Sequence, residues 1–175
     1  WGNRDYSVIK LLDIYSKQQQ QLTFKSKYFS PDINADGTEV VAVNVKTDGS
    51  SFLHRLDAAT GEFISEVPNI NNYFFTQTKY IDNNNAVSAV RNPKGQMALI
   101  KVNLANGATE MLTVFSYNVL GYPQVVGDLV YLSMTDNYNS NTNNKPADRI
   151  FAFNLVNKEL YRITNNKNGV YQPAV

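Results

Sequence analysis

The sequence of 175 residues has no cysteine and a single histidine, His54. The first absence excludes disulfides, zinc–thiolate sites, iron–sulfur clusters and thiol catalysis, and the second excludes any site that needs two imidazoles. Net charge is nearly missing too. With Lys+Arg at 16 and Asp+Glu at 15, the formal charge is +1, too small for the long-range attraction typical of a nucleic-acid or acidic-membrane binder. No apolar run approaches the roughly 18 residues of a membrane span. No Asn-x-Ser/Thr sequon occurs despite abundant Asn, and no long segment keeps a helical period. The chain opens on Trp1 and shows no signal peptide, as expected of a processed product or an excised segment. Hydrophobic residues make up 43% and aromatics 12%, enough for one core in one domain or part of one.

What is present is a repeat. Leu11-Leu12-Asp13, Arg55-Leu56-Asp57, Lys101-Val102-Asn103 and Ala152-Phe153-Asn154 each place an apolar residue before an Asx. Four positions later stand Lys17, Gly61, Gly107 and Lys158, and further on come Leu22-Thr23, Val67-Pro68, Leu112-Thr113 and Ile163-Thr164. An Asx followed by Gly at the fourth position predicts a hairpin loop, because Asx bonds its own backbone and Gly supplies the left-handed conformation. Lys17 and Lys158 fit that rule less well, so their two turns are expected to be built differently. A second template runs in phase, through Tyr28 to Val43, Tyr73 to Val90 and Gly121 to Leu132, and it restarts at Val170-Tyr171-Gln172-Pro173-Ala174-Val175. The common period is roughly 47 residues, the size of a four-stranded propeller blade.

The expected fold is therefore all-β: a β-propeller of three to four four-stranded blades within a larger ring. It divides into a partial blade over 1–27, blades over 28–67, 73–113 and 120–164, and the first strand of a further blade over 170–175. The strand before each Asx is apolar on both faces, as in Ile150-Phe151-Ala152-Phe153, which suits a sheet held between two other sheets. A β-sandwich is the main competitor, but its strands need no common period. The chain starts in mid-repeat with the later hairpin of one blade, about Tyr6 to Leu22, and a ring closed by its own ends would lack one strand. Open lateral faces are the consequence, to be covered by further blades or, through self-association, by another copy.

Tyr28-Phe29-Ser30-Pro31-Asp32 leading to Asp36-Gly37, an apolar strand and the Leu56-Asp57-x-x-Thr60-Gly61 hairpin resembles the TolB-like, or PD40, propeller repeat, which is WD-repeat-like. Asp148 to Leu155 is similar to the family's outer-blade strand, and Gln21-Leu22-Thr23 to the residues that close a blade. Asn83-Asn84-Asn85 departs from the pattern, which has Asp-Gly there. The resemblance implies a non-catalytic scaffold for protein–protein association in the periplasm or cell envelope of a Gram-negative bacterium. It also admits the propeller domain of a larger prolyl-oligopeptidase-like or tricorn-like serine peptidase, and a carbohydrate- or peptide-binding module.

No catalytic, cofactor or metal residue is assigned. Asp32-x-Asn34-x-Asp36-Gly37 opens like a calcium loop, but Val40 and Val43 stand where further oxygens belong, so a turn with Gly37 at positive φ is favoured. His54 aligns with Lys10, Ile100 and Phe151, has no Gly-x-Ser-x-Gly partner, and is read as structural or surface. The pairs Glu62/Glu66 and Asp57/Glu62 lie in or beside hairpins and serve turns. Gln18 to Gln21 is expected to be an exposed outer strand, and the Asn-rich stretch from Asn137 to Asn144 a long turn, favoured as a plain floppy loop over a site of partner contact. Tyr28, Phe29, Tyr73, Phe74, Phe75, Tyr117, Tyr122 and Tyr171 cluster where each first strand begins. They are expected to pack between blades rather than stack sugars or bases.

Overall fold

The computed structural model describes residues 6–136, 147–165 and 169–174, which form 14 strands and no helix. A two-stranded hairpin of β1 (Lys10–Leu12) and β2 (Gln19–Gln21) comes first. Three antiparallel four-stranded sheets follow, each in sequence order. The first holds β3 (Tyr28–Ile33), β4 (Glu39–Val45), β5 (Ser51–Asp57) and β6 (Phe63–Val67). The second holds β7 (Phe74–Asp82), β8 (Asn85–Arg91), β9 (Met97–Asn103) and β10 (Thr109–Met111). The third holds β11 (Leu120–Val126), β12 (Leu129–Asp136), β13 (Ala147–Asn154) and β14 (Leu160–Arg162).

The Asx hairpins follow one plan. In each, the side chain of Asp13, Asp57, Asn103 or Asn154 accepts from the amides two and three residues on, at 2.8–3.2 Å. The backbone oxygen of the same residue accepts from Lys17, Gly61, Gly107 or Lys158. Lys17 and Lys158 take φ of 59° and 62°, beside 75° and 71° for Gly61 and Gly107. The expectation that the two lysine turns differ is thus corrected. The Asx cap and the backbone bond define the loop tightly enough to hold a Cβ-bearing residue left-handed, at a strain of order 1–2 kcal/mol. The closing Thr has a structural role as well. Thr23, Thr113 and Thr164 Oγ1 accept from the amides of Ile9, Leu99 and Ile150 at 2.9, 2.9 and 3.0 Å. The amides of Leu99 and Ile150 belong to the third strand of their sheets and that of Ile9 directly precedes β1, so the hydroxyl continues the ladder where the last strand of each unit ends.

Alternation on the second strands separates the two buried faces. Val41 and Val43 join Leu53, Val67, Phe75 and Val90 between the first and second blades, whereas Val40 and Ala42 join Ile9, Leu22 and Leu56 beneath the leading hairpin. Val87, Ala89 and Leu99 meet Val130, Leu132, Phe151 and Phe153 between the second and third blades. Fully burying such a side chain is worth about 1.5–3 kcal/mol, so the first and second sheets each depend on the units on either side of them. The leading hairpin has no such cover: β1 and β2 are exposed throughout, with Leu12 at 50% and Tyr15 at 91%. Residues 170–174 carry no strand pairing among the described residues, although Val170 N donates to Asp148 O at 3.0 Å.

Candidate partner-binding face

The first strands of successive blades, β3, β7 and β11, pack against one another, so the axis lies along them. Each bulges relative to its partner strand, where the register shifts between Phe29 and Asp32, Phe75 and Gln77, and Gly121 and Gln124, and β7 carries a second shift between Tyr80 and Asp82. In two of the three the bulge is an X-Pro step. Ser30 and Tyr122 precede proline and take φ of 46° and 54°. Gln172, before Pro173, takes 53°, so the last segment has the same local bend without a paired strand. The second blade lacks the proline; there Thr76 Oγ1 donates to Ala89 O at 2.8 Å. Bulges of this kind re-aim side chains next to ligand sites, and non-glycine residues at positive φ store strain there.

Two clefts flank these bulges on the face where the inner strands enter. One, of about 400 Å³, lies between the first and second blades and is lined by Asp48, Ser50, Tyr73, Phe74 and Arg91 among others. The other, of about 330 Å³, lies between the second and third blades, with Gln77, Arg91, Tyr122, Asp148 and Tyr171 on its walls. Gln77 Oε1 accepts from the strained Tyr122 amide and ties the two blades together at this point. The expectation that the entry aromatics are packing residues holds for buried Phe75 and for half-buried Tyr28 and Tyr73. It is corrected for Phe29, Phe74, Tyr117, Tyr122 and Tyr171, which are 38–76% exposed. The bulge rotates some of these rings out of the sheet, and Tyr117 lies in the connection before β11.

The calcium-like loop is a blade-to-blade clamp. Asp32 accepts from Lys79 Nζ at 2.9 Å and from the Tyr80 amide at 2.8 Å. Asn34 Oδ1 accepts from the amides of Thr38 and Glu39, and Asn34 Nδ2 reaches Asn83. Asn83 Nδ2 in turn donates to Asp36. Gly37 sits at φ 70°, so the turn is as expected, with the Asp32 and Asp36 carboxylates spent on the second blade. His54 bridges Tyr28 Oη at 2.9 Å and Glu66 at 3.0 Å, edge-on to Phe63. Glu66 also meets Lys46 at 3.1 Å; burial works against its ionisation, but the bonds from His54 and Lys46 hold its carboxyl below the ordinary value. Asp57 is held down by the Thr60 amide and hydroxyl. The carboxylates of Glu66 and Asp57 are thus spent on neighbouring side chains and on the hairpin turn. Gln19–Gln21 form an exposed strand, as expected, and Asn137 to Asn144 lie outside the described residues.

Sequence reasoning missed the most buried ion pair among the described residues. Glu39 receives both Arg55 Nε and a second guanidinium nitrogen at 2.6 Å, and Tyr80 Oη of the next blade donates to it at 2.9 Å. Burial, then the adjacent carboxylate, push the Tyr80 phenol far above its ordinary value. Glu39 stands opposite Asp57 and Arg55 opposite Val41, so the pair is a diagonal across β4 and β5 that only the register reveals. It also missed Arg91, which nothing in the repeat marks.

Three sheets in one phase, joined through their first strands and flanked by a half-blade hairpin, decide the architecture. The chain folds as part of a β-propeller like that of TolB. TolB from Acinetobacter baumannii superposes with a TM-score of 0.69 at 17% identity, over 90% of this chain and 37% of that one. A protein assigned as TolB from Agrobacterium tumefaciens gives 0.66 at 14% identity, over 82% of this chain and 51% of that one. The tricorn protease gives 0.59 at 15% identity, over 95% of this chain and 16% of that one. The propeller described here thus spans about half or less of each of these proteins. No family model and no curated protein matches it by sequence.

Proposed function

We propose that this propeller segment is a non-catalytic scaffold for protein association in a bacterial cell envelope. One observation carries the reading. His54, Glu66, Asp32 and Glu39, the side chains best suited to proton or metal chemistry, are engaged in strand-to-strand or blade-to-blade contacts, whereas the entry face presents Phe74, Tyr122 and Tyr171 to solvent. Exposed aromatics on a rigid rim are the usual material of an interface. The likeness to TolB supports the compartment. The test is retention of partners by the intact protein after crosslinking in a Gram-negative periplasm. Tyr122→Ala with Phe74→Ala should abolish retention without lowering the melting temperature, and unchanged retention would refute the assignment of this face.

A second reading, the propeller of a larger serine peptidase that restricts substrate access, is favoured by the match to the tricorn protease. A Gly-x-Ser-x-Gly elbow with Asp and His in adjoining sequence would select it.

A further inference from the structure

Arg91 ends β8, where it pairs with Phe74 of β7 and Met97 of β9. The alternation that sends Val87 and Ala89 toward the third blade sends Arg91 there as well. Its side chain borders both entry-face clefts. Among the described residues no hydrogen bond, ion pair or ring contact engages it, whereas Lys46, Arg55, Lys79 and Lys158 each hold a carboxylate. Around it stand Phe74 at 38% exposure, Val119 at 63%, Tyr122 at 41% and Tyr171 at 61%. Gln77 faces the same cleft with its oxygen already occupied by the Tyr122 amide, which leaves its Nε2 to donate. Asp148 on the far wall accepts from Thr135 Oγ1 at 2.7 Å.

We propose that Arg91 anchors a carboxylate of an extended peptide lying across the cleft between the second and third blades, with Tyr122 and Tyr171 packing beside it and Phe74, the register partner of Arg91, on the adjoining cleft. A guanidinium presents parallel N–H donors that match a planar carboxylate two at a time. A single cation with one amide donor suits one negative charge; a phosphate dianion calls for more positive charge than this cleft contains. The aromatic rim then lowers the local dielectric and strengthens the pair. The inference rests on the entry face being the partner-binding surface, and it adds the partner's chemistry.

The test titrates the intact chain with three acetylated peptides, read by calorimetry and by the Arg91 Nε–Hε resonance. They are Ala-Phe-Asp-Ala amide, Ala-Phe-Asn-Ala amide, and Ala-Phe-Asn-Ala with a free carboxyl end. One or both acids should bind roughly tenfold tighter than the neutral amide, the worth of one charge-assisted contact. Which acid is preferred identifies the source, a side chain or a chain terminus. Arg91→Gln should erase the preference, Arg91→Lys should keep part of it, and Lys94→Gln should leave it intact. Equal binding of acids and amide, or a preference that survives Arg91→Gln, overturns the anchor and leaves the association reading standing. Failure of all three peptides while crosslinked partners are retained also overturns the anchor alone; failure of both overturns both.

Discussion

A Cβ built on Gly61 would stand 2.0 Å from the carbonyl oxygen of Leu22, and one on Gly107 would stand 2.0 Å from that of Pro68. In both cases the outer-hairpin glycine of one unit presses on the chain that closes the unit before it. The left-handed turn and the spacing of neighbouring units therefore meet at one atom. Gly37, at φ 70°, has nothing within 4 Å.

Gly61→Ala must then both strain the backbone and push two units apart, at a cost of roughly 2–4 kcal/mol. Gly37→Ala bears the strain alone, at about 1–2 kcal/mol. Urea denaturation of the two variants measures the difference; equal losses would mean that the Leu22 contact yields freely.

The Asx turns come in two chemistries, carboxylate at Asp13 and Asp57 and amide at Asn103 and Asn154. Backbone amides, chiefly those of Ser16 and Thr60, hold both carboxyls below their ordinary 3.8. A depressed native value means the stabilisation is present above the unfolded pKa and is lost as pH falls through the folded one. Asp13→Asn with Asp57→Asn should thus match the parent at neutral pH and lose less stability on acidification below about pH 4. Melting curves from neutral pH to about pH 2 check this. Identical acid profiles would remove the two turns from the account.

How far the sequence carried this structure depended on the range of each interaction. Asp57 to Gly61 close a loop within five residues, so residue type alone predicted it. The lysines at 17 and 158 misled because a left-handed lysine looks unfavourable until the surrounding bonds are counted. Glu39, Arg55 and Tyr80 lie on three strands of two blades, and no local pattern announces their meeting. The rim was half visible: the aromatics stood out, but their exposure follows from a bulge that only the register shows. Arg91 has no pattern at all, because an unpaired cation is defined by what fails to reach it.

That Glu39 group makes its own prediction. Tyr80→Phe removes one hydrogen bond to a carboxylate that keeps its guanidinium, for about 1–2 kcal/mol. Arg55→Met leaves a carboxylate facing only a phenol, and should cost more, roughly 2–4 kcal/mol allowing for partial exposure. The phenol's raised pKa means its contribution is complete below the unfolded value of 10.0 and declines as pH rises beyond it. Alkaline melting curves should therefore fall more steeply for the parent than for Tyr80→Phe, and parallel curves would exclude the phenol from the interface.

The inner-strand bulge can be tested by relieving it. Ser30 has a φ of 46° that glycine adopts without penalty. Ser30→Gly should raise stability or leave it level, because about 1 kcal/mol of relieved strain offsets the entropy that glycine adds to the unfolded chain. Thr76, at the corresponding place in the second blade, is not left-handed and donates to Ala89 O. Thr76→Gly gains no such relief and loses the hydrogen bond, so it should cost about 1–2 kcal/mol. Equilibrium unfolding of the pair, side by side, decides it. If both glycines destabilise alike, the proline-linked bend is not strained, and the shared conformation of Ser30, Tyr122 and Gln172 reflects the X-Pro step alone rather than tension held at the rim.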